Sequence, residues 1–232
     1  NGVVPKHEKS LQDVAVIAYP VPKNDGVVIR PQRVSVSTAS KALEKIALNG
    51  TGTAALGKEP FSIDFHYDKP YTFQNLTLNF GNSTTKVKGT VESIEAGKVI
   101  KLRDFTIFRT NLKDGMGPLV LAPFDLAFAP TLTSKLRVSF TRIEAKPALQ
   151  DICFSPAARV DFGAEKQLGR MYPEPVPPVD AFVWPTVAES AEGTAVDITQ
   201  VVVLTDKMQP DGTLQWNAPE GQDWIIERFN MA

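Results

Sequence analysis

Hydrolysis of a glycosidic bond needs two carboxylic groups facing each other across that bond. The chain has acidic residues in plenty but spreads them thinly. Asp64, Asp68, Asp104, Asp180 and Glu227 stand one to a strand or turn, so their spacing pairs none of them. Their ordinary roles are solvated charge and turn capping. Nucleophilic catalysis needs a serine or cysteine beside a histidine that a carboxylate holds. There are two histidines, His7 and His66, and no Gly-x-Ser-x-Gly. His66 falls on the outward side of a strand between Phe65 and Tyr67, which is a solvent-side structural position, and His7 lies in a polar amino-terminal segment. No catalytic residue is assigned on these grounds.

Ligand-binding chemistry is equally sparse. A lone Cys153 and two histidines exclude a cysteine-based zinc site, a His-rich metal cluster and any internal disulfide. The run Asp206 to Asp211-Gly212 lacks the acidic spacing and trailing glutamate of a calcium loop and reads as a type I turn. No cofactor is expected, and a structural calcium ion is left open. Trp184, Trp216 and Trp224 could stack on sugar rings if exposed. Trp216 and Trp224, flanked by Leu214, Ile225 and Ile226, read as core, whereas Trp184 beside a proline-rich segment is the more open. Asn49-Gly50-Thr51, Asn75-Leu76-Thr77 and Asn82-Ser83-Thr84 are formal glycosylation sequons, with meaning only in a eukaryotic secretory pathway. The sugar-binding residues, if any, are not readable from the sequence.

The elements that must position these groups are strands. Within 232 residues, 43% are hydrophobic and 22% charged, the composition of a folded globule large enough for a sizeable core. Lys+Arg at 25 against Asp+Glu at 26 leaves a net charge of -1, which gives nucleic acid no electrostatic footprint. No run nears the ~18 apolar residues of a membrane-spanning helix. Eighteen prolines favour turns over long helices. Period-two alternation marks Phe61–His66, Tyr71–Phe80, Val87–Ser93, Val99–Arg109, Asp125–Ala129 and Leu136–Ile143, with turns at Gly81-Asn82-Ser83 and Glu95-Ala96-Gly97-Lys98. The spacing predicts an all-β, antiparallel sandwich.

Asp13–Tyr19 reads as a buried strand ended by Pro20 and Pro22, with a turn over 23–26. Ser40 as a cap, Leu43, Ile46 and Ala47 on one face, and Gly50 at the end predict a short helix within 37–49. Ser155-Pro156 predicts the start of a second helix, running through Lys166, Leu168 and Met171. Tyr172–Pro178 reads as a stiff linker. Three more strands are expected over 196–205, 212–216 and 224–229. The carboxyl terminus stops inside a strand-like pattern, which suggests a piece of a longer protein.

Two stretches carry a family resemblance. Val196-Asp197-Ile198-Thr199, followed by Asp211-Gly212-Thr213-Leu214-Gln215-Trp216 and on through Pro219, Gly221 and Trp224-Ile225-Ile226-Glu227-Arg228-Phe229, resembles a pattern in glycoside hydrolase family 106, the α-L-rhamnosidase-like proteins of Bacteroides-type bacteria. One residue more than the pattern, in Gln222-Asp223, precedes Trp224. Asp13–Pro20 resembles the strand that leads into an inserted β-domain of those proteins. Phe61–Asp68 with Pro70–Phe73, and Leu136–Phe140, loosely resemble a galactose-binding-like jelly roll.

The resemblance implies a jelly roll over 31–155, with 1–30 and 156–232 forming a smaller flanking β-layer, one or two short helices and the linker. In the family the catalytic carboxylates belong to a (β/α)-barrel, and no βαβ alternation is present here, so none is carried over. The implied role is an accessory β-sandwich of a periplasmic or extracellular glycoside hydrolase acting on rhamnose-containing glycans. Its partners would be the catalytic barrel of the same polypeptide and carbohydrate. An autonomous carbohydrate-binding module is the alternative, and a complete enzyme would need a two-carboxylate cleft that the sequence does not reveal. An accessory role also predicts an exposed apolar patch around Ile225, Ile226 and Phe229, or along 173–184.

Overall fold

The alternation of Phe61, Ile63 and Phe65 with polar neighbours places all three side chains inward, at most 7% exposed. They open a strand that runs on without interruption for 19 residues. The computed structural model describes residues 12–109, 122–163 and 189–231. His7, Asp180, Trp184, the 172–178 linker and the continuation of the second expected helix lie outside them. The chain forms two compact units, Gly26–Ala191 and Asn1–Asp25 with Glu192–Ala232.

In the larger unit, β2 (Arg33–Val36), β4 (Phe61–Asn79), β7 (Phe124–Glu144), β5 (Thr85–Glu95) and β6 (Lys98–Arg109) pair in that order, and β9 (Asp151–Ser155) joins β4. Every pairing is antiparallel. The register of β4 on β7 shifts between His66 and Tyr71, where Lys69 and Pro70 are exposed. Pro70 has no N–H to lose there. Before the bend β4 pairs with β2, and after it with β9. The two long strands thus pass from one layer to the other, and the sandwich closes over a single core. Phe65 from the first layer meets Phe154 from the second at 5.1 Å, edge to face, and Phe73 and Phe128 flank the same ring.

Local chemistry sets the turns. Ala96 and Gly97 both have positive φ, the two-residue hairpin geometry that matches strand twist. At the β5 register shift beside Lys88, Gly89 passes against β7: a Cβ there would lie 2.2 Å from the Ser139 carbonyl oxygen and 2.5 Å from Phe105 Cζ. The expected first helix is α1 (Lys41–Asn49). Ser40 Oγ accepts from the Leu43 N–H, Gly50 closes the helix in the left-handed region, and Leu43, Ile46 and Ala47 are buried. Two short strands, β3 (Ala54–Ala55) and β8 (Ala148–Leu149), pair beside it.

The second expected helix does not start. Ser155 closes β9, its hydroxyl donates to the Val27 carbonyl and accepts from the Ala157 N–H, and Phe162 takes a positive φ. A long-range bond has claimed the would-be cap.

In the smaller unit, β1 (Gln12–Pro20) lies between β10 (Val202–Val203) and β11 (Trp224–Met231). Only the last of the three strands expected there forms at full length. Asp197 caps a 3₁₀ turn at Ile198–Gln200 through the Thr199 N–H, with Gln200 reaching back to the Asp197 N–H. The Thr205 hydroxyl then takes the Val16 N–H from the β10 ladder. Residues 212–216 make one bridge, Met208 to Leu214, instead of a strand.

Gly89→Ala should cost about 3 kcal/mol or more, because the backbone carbonyl it meets cannot step aside. Urea unfolding of the chain would measure this.

Candidate functional site

Among the described residues, the carboxylates singled out from sequence are not brought together. Asp64 takes a bidentate bond from Arg137 directly across the β4–β7 pair, at 2.6 and 2.8 Å. Asp68 accepts from the Tyr71 hydroxyl, Asp104 pairs with Lys101, and Glu227 accepts from the Tyr19 hydroxyl at 2.7 Å. Each has a local structural partner. His66 is half-buried, and its Nδ1 accepts from Arg33 at 3.4 Å. Burial, followed by the positive charges of Arg33 and Lys135, holds its pKa below the ordinary value.

The other single residues resolve similarly. Burial pushes the Cys153 thiol up to about 12, so it stays a thiol. Asn75 is fully buried and its amide donates to Thr77 and Asp125, which makes that sequon inaccessible. Asp211 accepts from the backbone and hydroxyl of Thr213, closing the turn with Gly212. These bonds hold its carboxyl below the usual range. Among the described residues no three His, Cys, Asp or Glu side chains gather as a metal site.

What sequence reasoning missed is a pocket in the smaller unit. Across β1, β10 and β11, directly paired residues share a face. Val16 and Ala18 are buried on one face with Leu204. Trp216 and Trp224 pack there edge to face, 5.2 Å apart at 88°. Both remain half-exposed instead of fully core. With Met208 and Leu214 they wall a cavity of about 730 Å³, whose remaining lining includes Asp211, Gln222, Asp223 and Arg228. The Trp224 indole N–H donates to the Pro219 carbonyl at 3.2 Å, which fixes that ring. A signal was present in two tryptophans separated by Pro219 and Gly221. Turns rich in those residues fold back, and so bring both rings to one place.

The opposite face is largely apolar and partly exposed. Ala15 opposes Phe229, Ile17 opposes both Val203 and Glu227, and Tyr19 opposes Ile225. Val203 is 66% and Phe229 48% exposed. The patch expected around Ile225, Ile226 and Phe229 divides between the faces. Ile226 belongs to the pocket side, and Phe229 and Ile225 to the open one.

A model of glycoside hydrolase family 106, alpha-L-rhamnosidase, matches residues 3–232. The chain belongs to that family. Among curated proteins none matches. Among solved structures, the rhamnosidase from Novosphingobium sp. PP1Y is similar over 95% of this chain and 19% of its own, at 21% identity and a TM-score of 0.55. The chain thus spans about a fifth of that protein, and the match bears on fold alone. The chitosan-binding module 1 from a chitosanase/glucanase of Paenibacillus sp. IK-5 is 12% identical over 55% of this chain and 97% of its own, with a TM-score of 0.41. CBM32-3 from a family 31 glycoside hydrolase of Clostridium perfringens is 10% identical over 57% and 96%, at 0.43.

The residues that resemble family 106 now have places. Asp197–Thr199 build the capped 3₁₀ turn, and 211–229 supply the pocket wall, its rim and β11. No described helix of this family 106 chain is long and apolar enough to cross a membrane.

The His66 titration tests the electrostatics. Its folded pKa lies below the unfolded value of about 6.5, so the unfolded chain binds more protons between the two and stability falls as pH drops through that window. Arg33→Gln should raise the midpoint read by NMR, since it removes one of the opposing charges.

Proposed function

We propose that this chain is an accessory, non-catalytic β-sandwich region of a larger periplasmic or extracellular glycoside hydrolase acting on rhamnose-containing glycans. The observation that carries this reading is the open face of the terminal sheet. Val203 and Phe229, among the more exposed large apolar residues, stand on it beside Ile17 and Ile225. Covering such a face contributes about 25 cal/mol per Å² of apolar surface. In this reading the cover is the catalytic barrel of the same polypeptide, and β1 and β11, one from each end of the sequence, tie the sandwich to it. The local partners of Asp64, Asp68, Asp104 and Glu227 support the non-catalytic assignment. A Bacteroides-type source is part of the same proposal and rests on the resemblance over 196–199 and 211–229.

A second reading, an autonomous carbohydrate-binding module, is favoured by one observation, the tryptophan-walled pocket. It requires sugar affinity in the millimolar to micromolar range, about 4 to 8 kcal/mol.

Incubated with 4-nitrophenyl α-L-rhamnopyranoside, the 232-residue chain should release no nitrophenol, while a polypeptide that also carries the barrel should. Turnover by the chain itself, lost in Asp64→Asn or Glu227→Gln, would show that it holds its own catalytic carboxylates.

A further inference from the structure

The pocket of the smaller unit joins an apolar wall to a polar rim. Its volume of about 730 Å³ lies within the range of small-molecule sites, roughly 300–1,000 Å³. One wall is wholly apolar, made by Trp216, Trp224, Met208 and Leu214 over Val16. The rim is polar and charged, from Asp211, Gln222, Asp223 and Arg228.

Parts of this rim are set in advance. Asp211 is held by two bonds from Thr213, both to Oδ1, so Oδ2 keeps its acceptor capacity. Gly212, with φ +84, lets the turn close, and a Cβ there would come no nearer than 3.9 Å to Arg228 Nη1. The indole of Trp224 is tied at its N–H. The Trp224 ring and the Asp211 carboxylate are therefore positioned before anything binds, which lowers the ordering cost of binding.

A pyranose offers one C–H-rich face and a girdle of hydroxyls. Indole rings take the face, while carboxylates, an amide and a guanidinium take the hydroxyls. Hexoses also carry a hydroxymethyl group at C5, whose oxygen would need a partner wherever it is buried. Against Met208, Leu214 and Val16 it would find only apolar side chains, whereas a methyl group fits there without loss. We propose that this pocket binds a 6-deoxyhexose unit of a glycan, with its methyl and C–H face on the tryptophan wall and its hydroxyls on the Asp211–Arg228 rim. The choice of a deoxy sugar deepens the rhamnose-glycan reading above and rests on it.

L-Rhamnose and L-mannose differ only in the 6-hydroxyl, so they serve as the paired probes. Titration of the 232-residue chain by calorimetry and tryptophan fluorescence should give a Kd for L-rhamnose in the millimolar range or tighter. L-Mannose should bind roughly 10- to 100-fold more weakly, the usual discrimination of an apolar pocket against an added hydroxyl. Asp211→Asn keeps an oxygen for the Thr213 N–H but loses the charge, and Gln222→Ala alters only an exposed rim side chain; each should weaken binding about tenfold. Trp216→Ala should weaken binding at least tenfold and reduce the fluorescence response, which Trp224 still reports, with circular dichroism confirming the fold.

No signal up to about 100 mM L-rhamnose would overturn the proposal. So would equal affinity for L-mannose, or binding that none of the three variants changes. The two readings fail separately. A chain that binds L-rhamnose here and also hydrolyses rhamnosides contradicts the accessory role and leaves the pocket standing. A chain that does neither contradicts the pocket alone.

Discussion

Two long antiparallel strands have to serve two layers at once, and the larger unit depends on how they bend. Where β4 and β7 lose register between His66 and Tyr71, the chain passes through the exposed Lys69-Pro70 and enters the second layer without leaving its partner. Because the partner follows, most ladder bonds survive the corner. The aromatic residues on the inner side then face one another, and Phe154 collects Phe65, Phe73 and Phe128 around one ring. The charged pairs on the outer side, such as Asp64 with Arg137, lie directly across the same ladder and fix its register.

The smaller unit solves a different problem. A three-stranded sheet has two faces and needs cover for both if both are apolar. The 204–218 segment covers one face, through Leu204, Met208, Leu214 and Trp216, but incompletely, and the gap is the pocket. Nothing in residues 12–25 or 192–231 covers the other. Tyr19 and Glu227 hydrogen-bond on that open side, where the carboxylate raises the phenol above its ordinary pKa.

Much of this was legible because it is local. Strand alternation from Phe61 onward, the Ser40 and Gly50 caps and the Ala96-Gly97 turn each depend on residues a few positions apart. The failures were long-range or came from side chains that replace backbone partners. Ser155 looked like a helix cap until Val27, far away in sequence, took its proton. The 196–205 strand gave way to Asp197 capping and to the Thr205 hydroxyl, both side-chain acceptors competing with the ladder. The tryptophans were legible as apolar, but their shared cavity depends on a turn that composition does not describe. Membership of family 106 was legible in the Val196–Thr199 run with the Gly, Pro and Trp spacing of 211–229, and in the Asp13–Pro20 strand.

The central claim is that the open face of the terminal sheet belongs against another part of the same polypeptide. Cysteines placed at Val203 and Phe229 would report on it directly by their rate of thiol labelling, because the native Cys153 is buried and silent. The account predicts rapid labelling of both in the 232-residue chain and strong protection in the polypeptide that carries the catalytic barrel. Equal labelling in the two would contradict it.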